Sequence, residues 1–294
     1  CTSSKDTISR WLRPRGRNSS TKRQLKMKLI KQLIKFCICV PGKVLASAFF
    51  VYEKVVNKIF PQLAGLIRQD LIDVIDNDIR EVCHQNPNQQ IRFKLYTPNQ
   101  VCAYRHNTFS SKEPEMLEWI DEYGGEGAFY DIGANIGIYS LYYAKSKTGS
   151  VYSFEPSVFN LRQLAKNISI NTMSDRITIL SNPLSNITGV ATFMNGNIDE
   201  GGALSAFGVN YGCDGKLIND DIKYSVLGFS LDDLLKNGLI SKAPSLIKID
   251  VDGIEHLILS GAKNTLENDS LKSIFPWSTL RNRCVYTTSY SSSP

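Results

Sequence analysis

Residues 129–140, FYDIGANIGIYS, constrain this chain more than any other stretch. An apolar run ends in an acid, and a glycine-rich turn then opens into a second apolar run. Asp131, Gly133, Asn135 and Gly137 make a D-x-G-x-N-x-G pattern. A strand that turns this tightly into a helix is the opening unit of a layered α/β sheet. The pattern differs from G-x-G-x-x-G, whose glycines bring backbone amides up to a pyrophosphate. Here a carboxylate stands at the expected strand tip, where it repels phosphate and favours a positively charged group.

The text on either side extends the pattern. Strands are expected at Ala128–Ile132, Val151–Phe154, Ile177–Leu180 and Ser245–Asp250, with a last one at Leu271–Phe275. Helices are expected at Glu113–Tyr123, Gly137–Ser146, Val158–Asn171 and Gly253–Glu267. This alternation implies a mainly parallel sheet with helices on both faces. Between 189 and 229 it lapses into two strands, Gly189–Met194 and Tyr224–Phe229, around a glycine-rich loop. Ser230 can cap a short helix to Asn237. Upstream, 64–85 reads as a helix that Asn86-Pro87-Asn88 ends. Ile91–Tyr96 and Val101–His106 then read as a hairpin turning at Thr97-Pro98-Asn99. Beyond Phe275 periodicity ceases, so the sheet is expected to stop there, with 276–294 an irregular tail.

Charge divides the chain further. Residues 1–60 carry 14 Lys+Arg against 2 Asp+Glu, a balance of +12, and the remainder carries −6. A basic nucleic-acid-binding body is therefore not expected, and no nucleic-acid partner is assigned. Residues 1–24 suit a disordered basic arm. Leu25–Phe36 alternates apolar and lysine positions at helical spacing, and Pro41-Gly42 is expected to break it before Val44–Phe60. Two readings of this extension are open: a helical layer on the following domain, or a basic helix in peripheral contact with an anionic membrane. The organisation expected is thus an extension (1–60), a catalytic domain (61–275, core 113–275) and the tail. The 7 cysteines include no C-x-x-C pair, which argues against zinc and for reduced thiols in the cytoplasm. No cluster suggests any other metal.

Three acids fall at expected strand ends, where open α/β sheets bind ligands. They are Asp131, Glu155 in FEPS, and Asp250 in IKIDVDGIEH. Glu155 follows Asp131 by 24 residues, close to the spacing at which an acid holds a ribose. A nucleoside bearing a charged amino acid fits both, and S-adenosyl-L-methionine is such a ligand. Asp250, Glu255 and His256 are candidates for the general base, with His106 further away and Asp250 preferred for its place at the sheet edge. Lys248 is a further candidate for the catalytic site, because a charge inside a buried parallel strand is costly unless paired, and pairing with Asp250 or Glu255 and a role toward the substrate are both open.

These residues carry a resemblance. From Arg92 to Ile274 the chain is similar to the FkbM family of S-adenosylmethionine-dependent methyltransferases. The similarity lies in TFSSKEPEMLEWID (108–121), FYDIGANIGIYS, FEPS, the Leu231–Leu234 text and IKIDVDGIEHLILSGA (247–262). It implies a class I, Rossmann-like three-layer fold and O-methylation of a hydroxyl on a sugar, glycolipid or polyketide-like acceptor. It implies that Asp131, Gly133, Ala134, Asn135 and Gly137 hold the methionine part, Glu155 the ribose, and Asn182 the adenine edge. The family's Asn is followed here by Pro183-Leu184. The class I sheet that the resemblance implies continues into a C-terminal hairpin, so the expected stop at Phe275 means that C-terminal strands are missing and leaves an alternative: an inactive cofactor-binding or membrane-tethered interaction domain. A third reading, an NAD-dependent oxidoreductase, needs a pyrophosphate-friendly turn, against which Asp131 argues.

Overall fold

A computed structural model describes residues 18–212, 217–218 and 222–276. Chain contacts separate two units, residues 1–73 and 74–294. The first is dominated by α1 (Asn18–Ile59), followed by a short turn of helix and the start of α2 (Leu66–Asp76). Helix α1 begins inside the segment expected to be a disordered arm. It also runs through Pro41-Gly42, where a break was expected. Proline removes one rung of the ladder, and here the flanking turns continue in register. Arg68 returns to α1, pairing with Glu53 at 2.6 Å with its guanidinium over Phe50.

The second unit opens with an antiparallel hairpin, β1 (Ile79–Gln85) and β2 (Gln90–Tyr96). The helix expected over 64–85 therefore ends at Asp76, and its second half is a strand. Asn86 marks a hairpin turn rather than a helix end, because its side-chain oxygen accepts from the Asn88 and Gln89 amides. The expected strand at 101–106 is instead part of α3 (Gln100–Lys112). Asn99 caps it, accepting from Cys102 N at 2.8 Å, so Thr97-Pro98-Asn99 starts a helix.

After α4 (Pro114–Tyr123) the elements are β3 (Ala128–Ile132), α5 (Ile138–Ser146), β4 (Val151–Phe154), α6 (Val158–Ile170) and β5 (Ile177–Leu180). A three-stranded antiparallel sheet follows, made of β6 (Gly189–Asn195), β7 (Ser205–Phe207) and β8 (Ile222–Gly228). The chain closes with α7 (Leu231–Lys236), β9 (Pro244–Ile249), α8 (Glu255–Ser260), α9 (Lys263–Leu266) and β10 (Ser273–Pro276). The single helix expected over 253–267 is two. At Gly261 a Cβ would meet the Ser185 carbonyl at 2.2 Å, and Asp232 caps α9 through the Asn264 and Thr265 amides. Ser230 caps α7 as expected.

The main sheet is parallel, in the order β10-β9-β3-β4-β5. From β3 the chain steps outward through β4 and β5, then returns to the other side of β3 as β9. That reversal places the ligand crevice of the fold beyond the C-terminal ends of β3 and β9. Side-chain alternation feeds two cores. Phe129 and Leu246 face the layer of α4, α5, α6 and the hairpin, while Tyr130, Ile132 and Ile247 face α7 and α8. Residues 277–294, including nearly all of the expected irregular tail and any strands after β10, lie outside the described residues.

Candidate functional site

The junction after β3 is built by close approach. Gly133 has φ +77°, and a Cβ there would lie 2.0 Å from the Asp250 carbonyl oxygen. Only glycine lets the turn pass this near the end of β9. Asn135 follows at φ 53° and Gly137 at φ 85°, so the chain turns left-handed three times before α5 begins. Ala134 is buried, and its amide, like that of Gly133, donates to the Phe154 carbonyl. The D-x-G-x-N-x-G spacing is thus the spacing of a turn locked to both neighbouring strands.

Asp131 shares the parity of Phe129 and points into the α5 layer, away from the crevice. It is fully buried. Across the sheet its register partners are Lys248 on one side and Ser153 on the other. Lys248 Nζ donates to Asp131 at 2.8 Å and to the Gly133 carbonyl at 3.1 Å, and Ser140 Oγ donates to Asp131 at 2.6 Å. Burial disfavours the Lys248 ammonium, but Asp131, Asp250 and Glu113 outweigh it and hold its pKa above the usual lysine range. Lys248 is therefore held as a cation under the turn. The charge of Asp131, expected to face a ligand, is already met inside the protein.

Beneath this pair, Tyr139 donates to Glu113, which Lys112 also meets. Burial raises the Glu113 carboxyl, yet those hydrogen bonds more than reverse it and the net shift is downward. Burial, together with Glu113, lifts the Tyr139 phenol well above its ordinary value.

The crevice beyond the strand ends holds about 730 Å³ of free space, counting the part open to solvent. Gly133, Asn135, Glu155, Asn182 and Asp250 line it; Lys248 and Glu255 do not. Glu155, just past β4, is buried and accepts from Asn135 N at 2.7 Å and Ser157 N at 2.9 Å. Burial raises its pKa, and the two amides with Asn160 offset that only in part. Asp250 extends from the end of β9 with its side chain 38% exposed and 3.9 Å from Lys248 Nζ. Asn182 donates to the Leu227 carbonyl at 2.8 Å, tying the exit of β5 to β8. Glu255 is buried in the first turn of α8.

The loop from Asp199, with Gly201-Gly202, was readable as a pocket-shaping segment, but sequence reasoning missed Asn160, Arg105 and Asp252, which hold its strap 199–205. Asn160 accepts from Gly201 N at 2.9 Å, and Asn135 Nδ2 donates to the Gly202 carbonyl at 2.7 Å. Arg105 donates to the Gly201 carbonyl at 2.8 Å. Asp252 accepts from the amides of Leu204 and Ser205, and burial raises its carboxyl pKa. The D-x-D spacing of Asp250 and Asp252 was the available signal. Phe193, Phe207, Leu184, Ile254 and Ile258 form the apolar wall. Three acids, Glu155, Asp250 and Asp252, line the crevice against Arg105 as the sole Lys or Arg in its lining among the described residues.

The family can now be stated. Residues 131–276 match the model described as Methyltransferase FkbM domain. This chain carries an FkbM-family methyltransferase domain. Among solved structures, the FkbM methyltransferase of Methylobacillus flagellatus KT is similar at 19% identity. That match covers 50% of this chain and 32% of the other, with a TM-score of 0.33. P. horikoshii TYW2 in complex with MeSAdo is also similar, at 19% identity over 36% and 39% of the two chains, with a TM-score of 0.25. The chain thus spans about a third of the length of the Methylobacillus protein. No curated protein matches it. Its five-stranded parallel order, reversing at β3, is that of the Rossmann-like class I methyltransferase fold. Among the described residues no cluster of His, Cys, Asp and Glu could hold a metal, and no helix is long and apolar enough to cross a membrane.

Proposed function

We propose that this methyltransferase uses S-adenosyl-L-methionine to methylate a hydroxyl on a sugar, glycolipid or polyketide-like acceptor. The observation that carries the reading is the acid-lined crevice at the sheet reversal, where a cationic nucleoside finds opposite charge. The residues present fit that cofactor. The glycine at 133 keeps the turn free of side-chain bulk, Glu155 lines the crevice just past β4 as a carboxylate able to accept from ribose hydroxyls, and apolar side chains line the far wall.

When bound, the cofactor supplies a sulfonium-activated methyl group. The chain's own work is to bind, to orient and to accept a proton. Glu155 offers the remaining lone pairs of its carboxylate to ribose hydroxyls, its orientation fixed by the Asn135 and Ser157 amides. Asp131 acts at one remove: with Lys248 it fixes the carbonyl of Gly133 and thereby the turn. Asp250 is the exposed carboxylate at the strand ends and the candidate to take the acceptor proton, a contribution of roughly 10²–10⁴ in rate. Lys248, held protonated, is not a base, and Glu255 lies outside the crevice lining.

Isothermal titration of the full chain with S-adenosylhomocysteine tests the cofactor. Binding is expected, with Glu155→Ala weakening it about 10- to 100-fold, the worth of hydrogen bonds to a charged group. A folded protein that does not bind, or a Glu155→Ala variant that binds equally well, overturns the reading. A methyl-transfer screen over sugar and glycolipid alcohols tests the acceptor, and turnover is expected to fall in Asp250→Asn with cofactor affinity largely retained.

A further inference from the structure

The acids of the crevice answer only part of the charge that the cofactor brings. S-adenosyl-L-methionine carries a sulfonium and an ammonium, which suit Glu155, Asp250 and Asp252. It also carries a carboxylate, and a carboxylate taken out of water needs donors or a cation.

The donors of the glycine turn are already committed. Gly133 and Ala134 donate to the Phe154 carbonyl, Asn135 to Glu155, Ile136 to Asn135 Oδ1 and Gly137 to the Ala134 carbonyl. An anion therefore finds no free amide between 133 and 137, in contrast to the turn of a dinucleotide site. The first residues of α5, Ile138 to Ser140, are buried and do not line the crevice. Along the strap, Gly201 donates to Asn160, Gly202 to the Asp199 carbonyl, and Leu204 and Ser205 to Asp252. Four of the five amides from 201 to 205 are thus taken. The side-chain amides of Asn135, Asn160 and Asn182 also donate to protein oxygens.

Arg105 is differently placed. It stands on α3, half-buried in the crevice wall. Its Nε donates to the Gly201 carbonyl at 2.8 Å, and Asn135 reaches the next carbonyl, that of Gly202, from the glycine turn. One strap therefore ties the guanidinium and the turn together. Nε fixes the plane of the fork, while Nη1 and Nη2 meet no acceptor and no acid among the described residues. An arginine stays charged at any working pH and takes a carboxylate on two parallel N–H bonds.

We infer that Arg105 binds the carboxylate at the methionine end of the cofactor, with Nε on the strap and its two terminal nitrogens on the ligand. The inference rests on the cofactor reading above and adds the residue that answers the ligand's one negative charge. Isothermal titration of the full chain with S-adenosylhomocysteine and with its decarboxylated analogue, which keeps the nucleoside and the ammonium, tests it. The wild type is expected to prefer S-adenosylhomocysteine. Arg105→Ala should weaken that ligand about 10- to 100-fold and the analogue by no more than about threefold. Arg105→Lys should recover part of the loss. Retained binding of the analogue shows that the variant is folded. A residue that only holds the strap would weaken both ligands alike, and that result overturns the inference. Unchanged S-adenosylhomocysteine affinity in Arg105→Ala, or a wild type that binds the two ligands equally, overturns it while the cofactor reading stands. So does a loss confined to turnover of a carboxylate- or phosphate-bearing acceptor, which would assign Arg105 to the acceptor. A folded wild type that binds neither ligand overturns the cofactor reading and the inference with it.

Discussion

Replacing Lys248 by methionine isolates the pair that holds the turn. Lys248 and Asp131 face each other across adjacent strands, both essentially inaccessible, with their nitrogen and oxygen 2.8 Å apart. Methionine keeps the volume and removes the charge. It leaves Asp131 buried with only the Ser140 hydroxyl as a donor, and it removes the donor to the Gly133 carbonyl. Removing one partner of a buried pair costs about 3–5 kcal/mol. Folded domains have about 5–15 kcal/mol in total, so the variant should lose a large fraction of its stability. In a unit of roughly 200 residues the melting temperature should fall by roughly 6–20 °C. Urea denaturation of wild type, Lys248→Met, Asp131→Asn and the double variant measures the coupling. The double variant should recover about 2 kcal/mol or more over the sum of the singles. The pH dependence follows from the sign of the shift. The Lys248 pKa is raised on folding, so its stabilisation is complete below the ordinary lysine value and is lost as pH rises through the higher folded value. The wild-type advantage over Lys248→Met should therefore stay flat up to about pH 10 and shrink above it. A single variant costing under about 1 kcal/mol, or strictly additive singles, would refute the argument that this pair is a desolvated, coupled unit.

Three further outcomes are expected. Gly133→Ala should destabilise by more than about 2 kcal/mol, because a left-handed alanine is strained and its Cβ meets the Asp250 carbonyl; thermal denaturation measures it. Asn160→Ala should loosen the strap, speeding amide exchange at Gly201 about tenfold while leaving core amides of β3 unchanged, by hydrogen-exchange mass spectrometry. Cys102 should resist alkylation at pH 8 in the native state, since burial pushes its thiol up to about 12. Exposed Cys37, Cys39 and Cys83 should label readily under the same conditions, and peptide mapping distinguishes them.

The strands at 128–132, 151–154 and 177–180 were legible because each is a short apolar run followed by a helix of one clear period. The stretch 64–106 was misread because its cues are shared. Asn86-Pro87 ends helices and turns hairpins alike, and Thr97-Pro98-Asn99 can turn a hairpin or cap a helix. Which occurred depended on β1 finding β2 across the turn and on Asn99 reaching the Cys102 amide. The break at Gly261 was invisible because it arises from the backbone of Ser185, far away in sequence.

By itself the sequence determined the alternating sheet, the D-x-G-x-N-x-G turn and the strand-end acids Asp131, Glu155 and Asp250. Those are local facts, set by period, by left-handed backbone and by spacing. The tertiary structure alone decided which acids face the crevice. Strand parity turned Asp131 inward onto Lys248, and the chain's reversal at β3 brought Glu155, Asp250 and Asp252 to one rim. It also drew the strap from residues 199–205 over that rim, onto Asn135 and Asn160. A sequence lists charges in order, but burial and register settle which of them a ligand meets.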